Sequence, residues 1–335
     1  MTIKPTMINI VRTIAGFLAF GLSCSPAWTD ARGAHRVSGA QFEEWFRDIS
    51  NWGRWGADDE LGTLNLITPA RRVAAANLVR DGVVVSLALD LNKQRGTFNE
   101  NPFEHALKVS EWGGHEVASD RYSVEYHGIA HSHVDGLSHF ARQGKMYNGF
   151  LVDTLKLSGA EKLGIQNVAS GIFARGVLID LPWLKGVDFL EPGTAITLAD
   201  LAAWEAKSGI LVTSGDVVLI RTGRWERLRQ KGPWNFIEQA AGSHASITIW
   251  LKARDVAALG SDGVNDVMPS NVEGRALPLH ELALVGLGMP ILDNLDLDTL
   301  AIESRKRGRF EFLFIGAPLR APGGTGSPLN PLAVF

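Results

Sequence analysis

Apolar runs rich in branched residues mark five buried strands: Gly82 to Leu91, Gly176 to Leu181, Asp216 to Thr222, Ala257 to Ser261 and Arg309 to Ile315. Their apolarity is continuous rather than alternating, the pattern of strands covered on both faces. Between them lie segments that open with a capping side chain. Ser38 precedes a helix expected from Gln41 to Ile49, and Thr68-Pro69 one running to about Val79. Thr197 precedes one from Leu198 to Ala206, and a further helix is expected from Ala245 to Val256. A capping hydroxyl satisfies free amides of the first turn, and proline at the first helical position loses no hydrogen bond. Strands and helices alternate, so the class is α/β: a mixed β-sheet with flanking helices in one domain, from about residue 38 to 335. The spacing is too irregular for a simple barrel, and no repeat or low-complexity linker divides the chain.

One stretch carries unusual chemistry. Four of the nine histidines lie between His127 and His139, with Asp135 among them. Imidazole and carboxylate are the side chains that hold a divalent transition metal. In an extended segment side chains alternate faces, so His127, His131, His133, Asp135 and His139 share one parity and one expected face. His133 and Asp135, two apart on a strand, can reach one ion. His139, four beyond Asp135, can stand beside that ion after a turn, a position suited to a proton-transferring base.

Composition narrows the choices. The chain has 335 residues, 45% of them hydrophobic, enough for a large core. A net charge of −3 and no basic run with interleaved aromatics argue against a nucleic-acid partner. Lys4 and Arg12 precede an apolar run, Ile14 to Leu22, too short to span a bilayer, and small residues follow. Residues 1–27 therefore read as a signal peptide, cleaved after Ala27 or Ala31, and the mature protein as exported, periplasmic or secreted, with no stable membrane insertion. Its removal takes away Cys24, the only cysteine. Cys-His catalysis and cysteine-rich zinc sites are then excluded. No phosphate-binding glycine loop and no Gly-x-Ser-x-Gly elbow is present.

His133-x-Asp135-x-x-x-His139 resembles the end of the histidine/aspartate motif of the metal-dependent cyclase family, which includes bacterial kynurenine formamidases and isatin hydrolases. The phrase from Tyr126-His127-Gly128 to Tyr147-Asn148-Gly149-Phe150 is similar to the family's larger branch. So are Asn51-Trp52-Gly53-Arg54-Trp55-Gly56, Arg221-Thr222-Gly223, Ser261-Asp262, Pro278-Leu279-His280 and Gly326-Ser327-Pro328, in order over roughly residues 45 to 335. The resemblance implies a swivelling β/β/α fold, metal ligation by His133 and Asp135, and His139 as general acid/base. The first motif histidine should stand four before His133, where this chain has Ile129; His127 is favoured as third ligand, with His131 kept open. For a second metal the resemblance points to His280 and, in place of a glutamate, Asp293, which is one methylene shorter. One ion is expected rather than two, zinc or manganese, with His280 alternatively a structural helix residue.

The resulting expectation is a metal-dependent hydrolase of an amide, a formamide such as the N-formylkynurenine of tryptophan catabolism, or a cyclic amide. A lactone or ester hydrolase and a non-catalytic exported metal- or ligand-binding protein are the alternatives. A closed four-ligand site would favour binding, an open place beside His139 catalysis. The substrate is expected to be a small aromatic molecule and the assembly a homo-oligomer. Trp52 and Trp55 could line an aromatic pocket or pack in the core; Arg54 could grip the substrate or form a surface ion pair. Arg221, after a buried strand, needs a partner. His244 is expected at a helix start, and His105 and His115 in a polar loop.

Overall fold

The computed structural model describes residues 36–335; the expected signal peptide and Cys24 lie outside the described residues. Four parallel strands form the centre of a nine-stranded sheet, in the order Ile172–Asp180, Val217–Arg221, Ala258–Ser261 and Ile291–Asp293. Val217–Arg221 and Ala258–Ser261 are buried at every position, as their continuous apolar runs require. Antiparallel strands flank this centre. On one side stand Glu311–Gly316, Leu332–Val334 and Val84–Ser86; on the other, His133–Asp135 and then Gly326–Pro328.

Gly326–Pro328 and Leu332–Val334 are seven places apart in this order, yet only residues 329–331 separate them in the chain. Seven strand spacings in a flat sheet cover about 34 Å, whereas so short a link spans at most about 14 Å. The sheet therefore curls until its two sides approach. Ser132 Oγ accepts the amide of Leu89 at 3.0 Å, and the amide of Leu329 reaches the Ser132 carbonyl at 3.1 Å. These bonds carry the curl to the chain just before His133. The mixed α/β architecture in one domain is as the sequence led us to expect, though more nearly barrel-like than the irregular spacing suggested.

Helices cover the sheet. Gly39–Ile49 is capped by Ser38, Pro69–Ala76 by Thr68 with proline at its start, and Leu198–Ser208 by a reciprocal Thr197–Asp200 box. The expected helix over Ala245 to Val256 is shorter, Ile247–Ala253, and Pro69–Ala76 stops before Val79. The run from Gly82 to Leu91 contributes only Val84–Ser86 to the sheet. Arg224–Lys231, Asp298–Arg307 and a π-helix over Glu281–Leu287 were not expected from the sequence. Among the described residues, no helix is long and apolar enough to cross a membrane.

His105 and His115 do not lie in a loop. They belong to a hairpin of Glu104–Trp112 and His115–Ser123, exposed at every position of both strands. Its one short alternation, Leu107-Lys108-Val109-Ser110, faces no core, since Leu107 and Val109 are about 60% exposed.

Candidate metal centre

Strand register assembles the site. His133–Asp135 lies between Ile291–Asp293 and Gly326–Pro328, with His133 opposite Asp293 and Asp135 opposite both Ile291 and Gly326. Val134 points into the core and is 1% exposed, so period two turns His133 and Asp135 to the other face. Gly326 leaves room there: a Cβ on it would lie 2.8 Å from the His127 ring.

Asp135 is the hub. Its Oδ1 lies 2.8 Å from His127 Nδ1, 3.3 Å from His133 Nε2 and 3.8 Å from His139 Nε2; its Oδ2 lies 3.7 Å from His280 Nε2. His280 Nε2 is also 3.6 Å from Asp293 Oδ2. Two overlapping triads could each hold an ion: His127, Asp135 and His139, and His133, Asp135 and Asp293. The 2.8 Å approach of His127 to Asp135 has no hydrogen-bond alignment, and both atoms are buried without a hydrogen-bond partner. Buried nitrogen and oxygen donors that crowd one another in this way are what a cation site offers.

Outer partners fix which nitrogen faces inward. His133 Nδ1 donates to the His131 carbonyl at 2.8 Å, and His280 Nδ1 donates to Asp266 at 2.5 Å, so both Nε2 atoms turn to the cluster. His127 Nε2 meets Thr325 Oγ1 at 3.0 Å, which leaves its Nδ1 for Asp135. Asn265 Nδ2 donates to Asp293 Oδ1 at 2.6 Å and holds that carboxylate. His139 follows a turn closed by its amide on the Gly136 carbonyl, and its ring stacks on His127 with centroids 3.8 Å apart.

Electrostatics match this geometry. Burial opposes ionisation of Asp135, but His127, His133 and His139 outweigh it and hold the carboxyl well below its usual range. Burial lowers His133, but Asp135 and Asp293 raise it overall; for His280 burial is likewise overcome by Asp266 and Asp293. These carboxylates hold protons on the two rings, and a divalent cation would displace them. His139 goes the other way: burial, then repulsion from His127, His280 and His133, brings it to about 4. It is neutral at pH 7.

The structure thus brings together His127, His133, Asp135, His139, His280 and Asp293. His131 stands outside both triads, with its ring buried. Residues 127–131 run through bends, so the shared parity holds only where the chain is a strand, at His133 and Asp135. Of the three residues expected to meet substrate, Arg54 and Trp52 hold partners outside the histidine/aspartate cluster. Arg54 makes a two-pronged pair with Asp255 at 2.7 and 2.9 Å and lies over Trp55; Trp52 donates to the Val285 carbonyl at 2.7 Å. The aromatic walls of the site are instead Tyr126, 4.5 Å from the His127 ring, and Phe140, 5.2 Å from His280. Arg221 pairs with Asp180 and Asp298, and His244 precedes a helix and bonds Ser246. Asp266 and Asn265 were missed; the signal was a polar cluster directly after the buried strand Ala258–Ser261, at the carboxyl end of a parallel strand where ligands gather.

A curled mixed sheet with a buried histidine/aspartate hub defines a class, and the profile of the family described as putative cyclase matches residues 69–265: the chain belongs to that family. The matched span includes His127 to His139 and stops before His280 and Asp293. The chain is similar to a crystal structure of a novel cyclase, with 32% identity over 87% of this chain and 99% of that one and a TM-score of 0.79. It shares its fold with isatin hydrolase A from Ralstonia solanacearum, at 23% identity, 79% and 95% coverage and a TM-score of 0.53. An isatin hydrolase bound to the product analogue thioisatinate has the same fold, at 21% identity, 78% and 94% coverage and a TM-score of 0.52. No curated protein matches the chain.

Proposed function

We propose that the protein is a metal-dependent hydrolase that cleaves the C–N bond of an amide, an aryl formamide or a cyclic amide. The observation that carries this reading is the one-sided opening of the cluster. His133, Asp135, His280 and Asp293 are nearly sealed, while the side chains of His127 and His139 are 26% and 25% exposed. A purely structural site is closed; a catalytic one keeps a place for water and substrate. His127, His133 and Asp135 would hold the first ion, and His280 and Asp293 would complete a second set around the same Asp135. One ion is favoured, because both sets draw on the single carboxylate of Asp135; His280 Nε2, turned inward by Asp266, faces that carboxylate from its other oxygen.

Nitrogen and oxygen donors without sulfur suit zinc or manganese. A divalent ion there supplies Lewis acidity, lowering the pKa of water towards about 7 and polarising a carbonyl. The protein's own part is proton transfer and positioning. Neutral His139 takes a proton from the attacking water at Nε2 and returns it to the departing nitrogen, so amide and water leave as acid and amine. Tyr126 and Phe140 offer aromatic surface to a planar substrate. The fold shared with isatin hydrolases supports cyclic aromatic amides as the first substrates to try.

Screening the metal-loaded protein against aryl formamides, isatin, cyclic imides and lactones tests this reading. Metal-dependent hydrolysis of an amide substrate is the expected result. Turnover of lactones alone would move the reaction to C–O cleavage, and no turnover with a tightly held ion would make the protein a binder. We also infer export, from the short apolar run before Ala27. N-terminal sequencing of native protein should begin near Trp28; retention of Met1 in a membrane fraction would contradict it.

A further inference from the structure

Arg224 has no role in the chemistry above, yet its position is costly. It is 3% exposed, and its guanidinium donates only to neutral oxygens: Asn294 Oδ1 at 2.6 Å, the Ile129 carbonyl at 2.6 Å and the Asp262 carbonyl at 3.4 Å. The plane lies 3.7 Å from the Phe236 ring centre and 4.1 Å from that of Trp225. The Asp262 carboxylate, which could have paired with it, accepts backbone amides of Thr222, Gly223 and Arg224 instead. A buried cation held by carbonyls and rings is retained against a desolvation penalty.

Its two short bonds join the two chain segments that build the metal centre. Ile129 lies in the bends between His127 and His133, and Asn294 directly follows Asp293. Asn294 is fully buried, in the left-handed region at φ 57°. Its Nδ2 donates to the Gly128 carbonyl at 2.7 Å and the His131 carbonyl at 3.2 Å, and its own carbonyl accepts from Ser132 at 2.7 Å. The His131 carbonyl is also the acceptor that fixes the His133 ring. A chain of bonds thus runs from Arg224 through Asn294 and the His131 carbonyl to His133.

We propose that Arg224 and Asn294 form a clamp that locks the His127–His133 segment onto the Asp293 turn and so presets the metal-binding geometry. They are positioning residues, touching neither substrate nor ion, and their role in ligation rests on the metal-dependent reading above. Only a planar fork reaches two divergent acceptors at once, so lysine cannot replace Arg224.

Asn294→Gly removes the amide and keeps the left-handed backbone without strain. Arg224→Lys keeps the charge and loses the fork. Zinc titration against a competing chelator should show each variant binding about 10- to 100-fold more weakly than wild type, the usual loss for an outer-sphere partner. The double variant should lose little beyond the worse single one, because both break one chain. Metal-free protein labelled at histidine nitrogen gives a readout independent of the ion: the His133 Nδ1 proton should exchange with water at least about tenfold faster in Asn294→Gly. Wild-type zinc affinity and wild-type proton exchange in both folded variants would overturn the clamp. If wild type itself binds no metal, the metal-dependent reading fails while the exchange comparison still decides the clamp.

Discussion

The hairpin and the candidate metal centre each contain a histidine beside an aspartate, and they differ in almost everything else. His105 Nε2 lies 2.5 Å from Asp120 on a ribbon exposed on both faces, with side-chain exposures of 23% and 38%. His133 lies 3.3 Å from Asp135 at exposures of 2% and 1%, with other histidines converging on the same carboxylate. The closer pair is the weaker device, because water screens it and exposed ion pairs contribute at most about 1 kcal/mol. Burial, a shared acceptor and second partners on the far ring nitrogens turn the same residue types into a site.

Variants on the two sides should separate sharply. The largest effect belongs to His139→Gln, which should keep the metal and lose on the order of 10² to 10⁴ in kcat. Turnover and metal content of one sample decide it; metal lost in proportion to activity would make His139 a ligand. Next comes Asp266→Asn, which weakens the acceptor of the His280 ring. Metal affinity measured by chelator competition should fall by about 10- to 100-fold, and unchanged affinity would leave His280 outside the metal site.

A smaller effect concerns pH in the metal-free protein. His139 is lowered from 6.5 to about 4, so the unfolded chain binds more protons than the folded one between those values. Stability therefore falls as pH drops through this window, by on the order of 2–3 kcal/mol from this group. Denaturant unfolding of His139→Gln should show a shallower decline. His133 and His280 act in the opposite sense: raised above 6.5, they add stability at low pH that is lost as pH climbs through their folded values. The smallest effect is expected on the hairpin. His105→Ala should change stability by no more than about 0.5 kcal/mol and leave metal and turnover unaltered; a loss of turnover would give the hairpin a place in the site.

The contrast also explains what could be read from the chain. Val217–Arg221 and Ala258–Ser261 were legible because burial on both faces leaves an unbroken apolar run. The spacing of His133 and Asp135 was legible because both stand on one strand. His131 misled because the chain bends before His133, and parity has no meaning across a bend. Asp266 and Asn294 were silent because their partners lie 14 and more than 160 residues away, at His280 and in the His127–His133 segment. The hairpin was silent because nothing in it is buried. Arg54 and Trp52 carried suitable chemistry, but Asp255 and the Val285 carbonyl take it up locally.

The central claim is that Asp135 and the rings around it hold a divalent ion on which hydrolysis depends. Metal per chain and turnover, measured on the same samples of wild type and a folded His133→Ala/Asp135→Ala double variant, test it most directly. The account predicts at least one ion per wild-type chain, next to none in the variant, and hydrolysis only where the ion is present. Equal metal in both proteins, or full turnover after the wild type has been stripped by a chelator, would contradict it.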